Sequence, residues 1–173
     1  MAWTSKLPLF ACAFIIALSA YVIFDFNGGS FDLTNRELIL VVTDSMDGNV
    51  TEYEVDSFPT NTLVMVEHLS DYEAQFLRVG DVVSYNHDGF LVQHRIIQVN
   101  SDSVYVHGDN NHSTEVVSLD DINGRVVGTN WILGHALSFI SSNFLIFLVV
   151  MFAICSALVV YGIYKSKPEE EVA

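Results

Sequence analysis

The sequence predicts a mainly β domain carried between two transmembrane helices. Two uncharged apolar runs, 7–24 (LPLFACAFIIALSAYVIF) and 144–164 (FLIFLVVMFAICSALVVYGIY), stand near the ends of a 173-residue chain that is 51% hydrophobic. Between them, short β-branched and aromatic runs recur at roughly ten-residue spacing with turn residues separating them. The length leaves room for one compact domain besides the apolar runs.

At about 1.5 Å rise per residue, each apolar run is near the length a helix needs to cross hydrocarbon. Tyr161 and Tyr164 are placed to sit at an interface. The first run has a rival reading as a cleaved signal peptide, since Lys6 precedes it. Leu18 and Ala20 would then occupy the −3 and −1 positions, and leucine is too large there, so a retained anchor is expected. Lys6 precedes the first run, and Lys165 and Lys167 follow the second, which puts both termini in the cytoplasm. The expected organisation is an anchor at 1–24, an extracytoplasmic β-rich domain at 25–143, a second helix at 144–164 and a cytoplasmic tail at 165–173. Such a chain is a multi-pass protein of the cell membrane.

The outer segment holds eighteen acidic residues against four arginines (Arg36, Arg78, Arg95 and Arg125), enough to account for the net charge of −14. A surface so acidic repels phosphates and argues against nucleic acid. It suits a protein solvated in high salt. Cys12 and Cys155 fall inside the apolar runs, where they read as small apolar residues rather than as a disulfide or a metal pair.

Along the outer segment, 25–32 (DFNGGSFD) reads as a Gly-rich hinge. Ile39 to Val42 are β-branched or apolar and read as a buried strand, followed by a polar turn through Ser45, Asp47 and Gly48. Further strands are expected at 62–66, 79–85, 90–99 and 103–106, with a last short one at 125–127. The Asp88-Gly89 pair marks a hairpin. Residues 71–77 suit a helical turn or loop. No internal repeat or low-complexity tract is present.

A serine held where a strand ends presents its hydroxyl as a nucleophile can, and Ser45 is in that position. Among six histidines, His94 stands out because it interrupts an otherwise apolar strand; the plainer reading is a strand residue on the solvent face. His107, Asp109, His112 and Glu115 have no recognised metal-ligand spacing. Asp109, Asn111, Ser113 and Glu115 alternate like the start of a calcium loop, but Thr114 stands where glycine is needed. No metal or cofactor is expected. All three lysines flank the apolar runs, so the outer domain has none to serve a Ser-Lys dyad. A nucleophilic Ser45 would therefore need a histidine or a carboxylate as its base.

Thr43-Asp44-Ser45-Met46, then Val79-Gly80-Asp81-Val82-Val83 leading to His94-Arg95-Ile96-Ile97, then His107-Gly108-Asp109-Asn110-Asn111 resemble the successive boxes of a type I signal peptidase. The His-Arg box in place of a lysine box resembles the archaeal and endoplasmic-reticulum branch. The likeness covers about residues 38–128. It implies a membrane-bound serine endopeptidase, with a largely β catalytic fold shared with LexA-like proteases, that removes signal peptides from exported preproteins. The implied partners are those signal peptides, the lipid bilayer and the protein translocation machinery.

Carried over box by box, the resemblance makes Ser45 the nucleophile, His94 the general base and Asp109 the first acid of a Gly-Asp-Asn box. The family's second aspartate falls at Glu115, one methylene longer, so Asp109, Glu115 and, with a rearranged loop, Asp120 or Asp121 remain candidate acids. Asp109, short-tethered in a tight turn, is the expected orienting acid. The family's acidic residue and proline after the serine are here Asp47-Gly48, which predicts a less rigid turn. The Ser45 backbone N–H and the Thr43 hydroxyl would hold the oxyanion. Substrate binding needs shallow apolar pockets and an exposed strand edge. The sequons at Asn49 and Asn111 flank these boxes and are read as unused. The chief alternative is a non-catalytic accessory subunit or inactive relative that keeps the β domain for binding.

Overall fold

The computed structural model describes residues 30–166 together with positions 10, 13, 14 and 17. The first apolar run, 7–24, lies outside the described residues except at those four positions. The chain divides into two compact units, one of Asn27–Ser138 and one that contains Phe139–Ala173.

The first unit is mainly β. Its strands are β1 Ser30–Leu33, β2 Arg36–Leu40, β3 Leu63–His68, β4 Val82–His87, β5 Phe90–Val99, β6 Ser103–His107, β7 Thr114–Ser118 and β8 Ile122–Asn130. They form one antiparallel sheet in the order β1-β2-β3-β8-β4-β5-β6-β7. The last strand is thus inserted in the middle, tying the first three strands to the β4–β7 ladder. Gly124 permits that insertion, because a Cβ there would run into the carbonyl oxygen of Glu67 on β3.

The β4–β5 hairpin follows from its turn chemistry. Asp88 and Gly89 have φ of 52° and 85°, the left-handed pair of a type I′ turn, and Asn86 Oδ1 accepts from the Gly89 N–H at 3.0 Å. The short helix α1, Asp71–Ala74, carries a capping box in which Ser70 and Glu73 satisfy each other's backbone N–H.

Other elements differ from the sequence expectation. The strand expected at Ile39 to Val42 is β2, which starts at Arg36 and ends at Leu40; Val41 is still tied across to Thr62 and Asn61. Residues 30–32, expected in a hinge, belong to β1. Residues 114–118, where no strand is expected from the sequence, form the edge strand β7, and the short strand expected at 125–127 is the nine-residue β8. Helix α2, Trp131–Ser142, has no counterpart among the elements expected from the sequence. Asn130 Oδ1 caps it by accepting from the Leu133 N–H at 2.9 Å.

Two cores flank the sheet. Val82 belongs with Ile39, Met46, Val55, Phe58 and Val64. Val83 and Tyr85, one and three residues on, belong with Ile96, Val104, Val106 and Val117. Successive strand residues point to opposite faces, and directly paired residues share one. His94 pairs with Val83 and Arg95 with Val82. The imidazole therefore stands on the second core and the guanidinium on the first.

In the other unit, helix α3, Phe144–Ser166, contains the stretch Phe144–Gly162, nineteen residues with a mean hydropathy of 2.9 and no burial. It is the one helix among the described residues long and apolar enough to cross a membrane.

Candidate active site

Ser45 lies in a turn closed by the Asp47 N–H on the Asp44 carbonyl at 2.9 Å. Met46, 1% exposed, plugs into the first core, and its carbonyl accepts from the Phe58 N–H. Val42, Thr43 and Asp44 remain exposed. Burial of one side chain and exposure of its neighbours hold Ser45 half-buried at the rim. Its hydroxyl is 3.3 Å from Thr43 Oγ1.

The turn after β6, residues 108–111, locks onto this one. The Asn110 N–H donates to the Ser45 carbonyl at 2.9 Å, and Asn110 Nδ2 donates to the Asp44 carbonyl at 3.2 Å. Two glycines make the approach possible. A Cβ on Gly108 would stand 2.7 Å from the Ser45 carbonyl oxygen, and one on Gly48 would stand 2.8 Å from the Asp109 carbonyl oxygen. Gly48, where the resemblance to signal peptidases leads one to expect proline, is thus needed for contact with Asp109. Close packing rather than a ring constrains this turn.

Asp109 sits on the first-core side. Its carboxylate receives Arg95 Nε at 2.9 Å and Nη2 at 2.7 Å, and the Ser57 hydroxyl donates to it at 2.6 Å. Arg95 Nη1 donates to the Val55 and Gly80 carbonyls, and its guanidinium lies over the Tyr53 ring. The ion pair is buried and fully bonded, and it fastens the 44–58 segment to β5. Asp109 is therefore brought to Arg95 and not to His94.

His94, 5% exposed, meets a different set of groups. Its Nδ1 is 2.9 Å from the Tyr85 hydroxyl, and that hydroxyl donates to Glu115 Oε2 at 2.7 Å. A carboxylate only accepts and a phenol has one hydrogen, so the Tyr85 oxygen must accept from His94 Nδ1–H. The neutral imidazole then carries its lone pair on Nε2. Asn111 Nδ2 approaches that nitrogen at 3.5 Å. Glu115, the alternative acid, is thus the one connected to the histidine, and Tyr85 connects it. In the sequence Tyr85 reads only as a core aromatic of a strand, so no local signal marks it.

Burial holds the His94 imidazole below its usual titration range. The Glu115 carboxylate opposes that shift, His107 and His87 reinforce it, and Asp109 opposes it weakly. Burial also pushes the Tyr85 phenol above its ordinary value, with Glu115 adding to the effect. A neutral histidine with Nε2 as its open nitrogen is what a general base requires.

Compared with protein-family models and with curated proteins, the chain matches none.

Asp120 and Asp121 lie in a 3-10 turn before β8, and neither bonds to His94. His107 Nδ1 donates to the Ser113 carbonyl at 3.1 Å. Among the described residues no group of three or more His, Cys, Asp or Glu is gathered where it could hold a metal ion. The Asn111 amide faces His94, which leaves that sequon poorly placed to carry a glycan.

Proposed function

We propose that this chain is a membrane-anchored serine endopeptidase of signal-peptidase type, which cleaves signal peptides from exported preproteins. The observation that carries the reading is the 108–111 turn, which grips the Ser45 carbonyl on one side and reaches His94 Nε2 on the other. Nucleophile and base are thereby neighbours of one rigid element. His94 Nε2 takes the Ser45 proton as Oγ adds to the scissile carbonyl carbon. The Ser45 backbone N–H and the Thr43 hydroxyl receive the oxyanion. The imidazolium then protonates the leaving amine, and water repeats the cycle on the acyl-enzyme.

Helix α3 supports the anchoring part of the reading by its length and apolar composition. A signal peptide's apolar core is itself in the bilayer, so tethering confines enzyme and substrate to one surface and raises their effective concentration.

One observation favours a second reading. Ser45 and His94 share no hydrogen bond, and the Asn111 amide stands at Nε2. A non-catalytic accessory protein with a binding ectodomain would keep that arrangement. On the enzymatic reading, the amide yields Nε2 to the Ser45 hydroxyl when peptide is bound, as catalytic hydrogen bonds often tighten only in the complex. The two are separated by incubating the full chain in membranes with a model preprotein and sequencing the new N-terminus. Cleavage after the signal peptide supports the protease; an uncut preprotein under conditions where the chain binds it supports the accessory protein.

A further inference from the structure

We propose that Tyr85 is a positioning residue through which Glu115 orients His94, so that the site works as a Ser45–His94–Tyr85–Glu115 chain. This rests on the serine endopeptidase reading above for its catalytic consequence and for the Ser45–His94 step, although the His94–Tyr85–Glu115 hydrogen bonds stand without it.

Topology explains why an intermediary is present. His94 is on β5 and Glu115 on β7, with β6 between them. Two inter-strand steps of about 4.8 Å separate the two backbones. Glu115 pairs with Val106, a second-core residue, so its side chain is on the face that His94 shares with Tyr85. The Tyr85 hydroxyl, from β4 on the far side of β5, lies between imidazole and carboxylate with a hydrogen bond to each.

The phenol suits this task. Tyr85 is 2% exposed, so its ring is fixed by packing against the second core. It remains un-ionised, because burial and the adjacent carboxylate both oppose loss of its proton. Its single hydrogen goes to Glu115, which leaves its oxygen able to accept only from His94 Nδ1–H. The tautomer is therefore set by the tyrosine, and the carboxylate sets the tyrosine. Around this chain, His87 Nδ1 lies 3.5 Å from Glu115 Oε2, and His107 and Asp109 contribute at longer range to the field at His94. A direct acid–imidazole contact, the arrangement expected from the sequence, is replaced by one relayed contact.

The test uses the full chain in detergent micelles with a model preprotein, comparing wild type, Tyr85→Phe, Glu115→Gln and the double variant. Tyr85→Phe keeps the ring and removes only the hydroxyl. The expected result is a fall in kcat of about 10²-fold or more, with KM changed by less than about threefold, since the residue lies behind the histidine. Glu115→Gln in the Tyr85→Phe background should cost less than about threefold further, because the chain is already cut. The readout independent of turnover is the ring 15N spectrum of His94 above its pKa. Wild type should show protonated Nδ1 and bare Nε2, and Tyr85→Phe should lose that single tautomer. Tyr85→Phe with an unchanged tautomer, or with kcat within about threefold of wild type, overturns the relay. If wild type cleaves nothing while the tautomer responds to Tyr85→Phe, the relay stands and the protease reading fails.

Discussion

Asp109 grips Arg95 through both carboxylate oxygens, at 2.9 and 2.7 Å, and the two side chains are 2% and 3% exposed. Arg95 follows His94 in the same strand, so the pair forms on the face opposite the imidazole. The most conspicuous acid in the sequence therefore supports the turn that carries Ser45, and the less conspicuous one is joined to His94 through Tyr85.

This reverses the ranking of two substitutions expected from the sequence, in which Asp109 is the orienting acid and Glu115 the alternative. Asp109→Asn leaves the Arg95 charge buried with half its partner gone, and it should lower stability by about 3–5 kcal/mol. Glu115→Gln sits partly exposed and should cost about 1 kcal/mol or less while lowering turnover. Denaturant titration of both variants in micelles, beside their cleavage rates, checks the division. A stable Asp109→Asn protein with slow turnover would return Asp109 to the role of orienting acid.

The pH dependence follows from His94. Its pKa is depressed by burial, and the base works when deprotonated, so the acid limb of kcat/KM should lie below the ordinary histidine value of about 6.5. Glu115 opposes the depression, so Glu115→Gln should move that limb to still lower pH. A profile of cleavage between pH 4 and 8 reads both effects. An acid limb above about 6.5 would mean that burial does not dominate at this histidine.

Thr43 Oγ1 lies 3.3 Å from Ser45 Oγ on an exposed segment. If its hydroxyl supplies the second oxyanion donor, Thr43→Val should reduce kcat about 10²–10³-fold with little change in KM, whereas Thr43→Ser should retain most of the rate. Equal loss in both variants would point to packing instead.

Much of this was legible in the chain. The β class followed from short β-branched runs between turn residues, and the hairpin followed from Asp88-Gly89, whose backbone angles are what the pair favours. Strand β7 was hidden because only Val116 and Val117 form an apolar β-branched run there, and the neighbouring β6 completes it by pairing. The roles of the acids were hidden for a related reason. Sequence spacing placed Asp109 and Glu115 near one another but could not tell which face each would take. That depends on strand order and on the register of β5 with β6 and β7. Tyr85 carried no signal, since a tyrosine in a buried strand is ordinarily core.

Topology gives a separate expectation. If α3 crosses the bilayer and the β unit lies outside, protease added to intact cells should reach residues 30–138. A tag placed after residue 173 should stay protected until the membrane is broken. Digestion of that tag in intact cells would reverse the orientation expected from Lys165 and Lys167.

Whether Ser45 and His94 act as one unit is read from preprotein cleavage by the two single variants and the double variant. Ser45→Ala, His94→Ala and the double variant should each be folded in membranes and each reduce cleavage to the same residual level, because removing either partner disables both. Losses that multiply in the double variant would show that the two residues act separately, and near-normal cleavage by Ser45→Ala would rule out the serine as nucleophile.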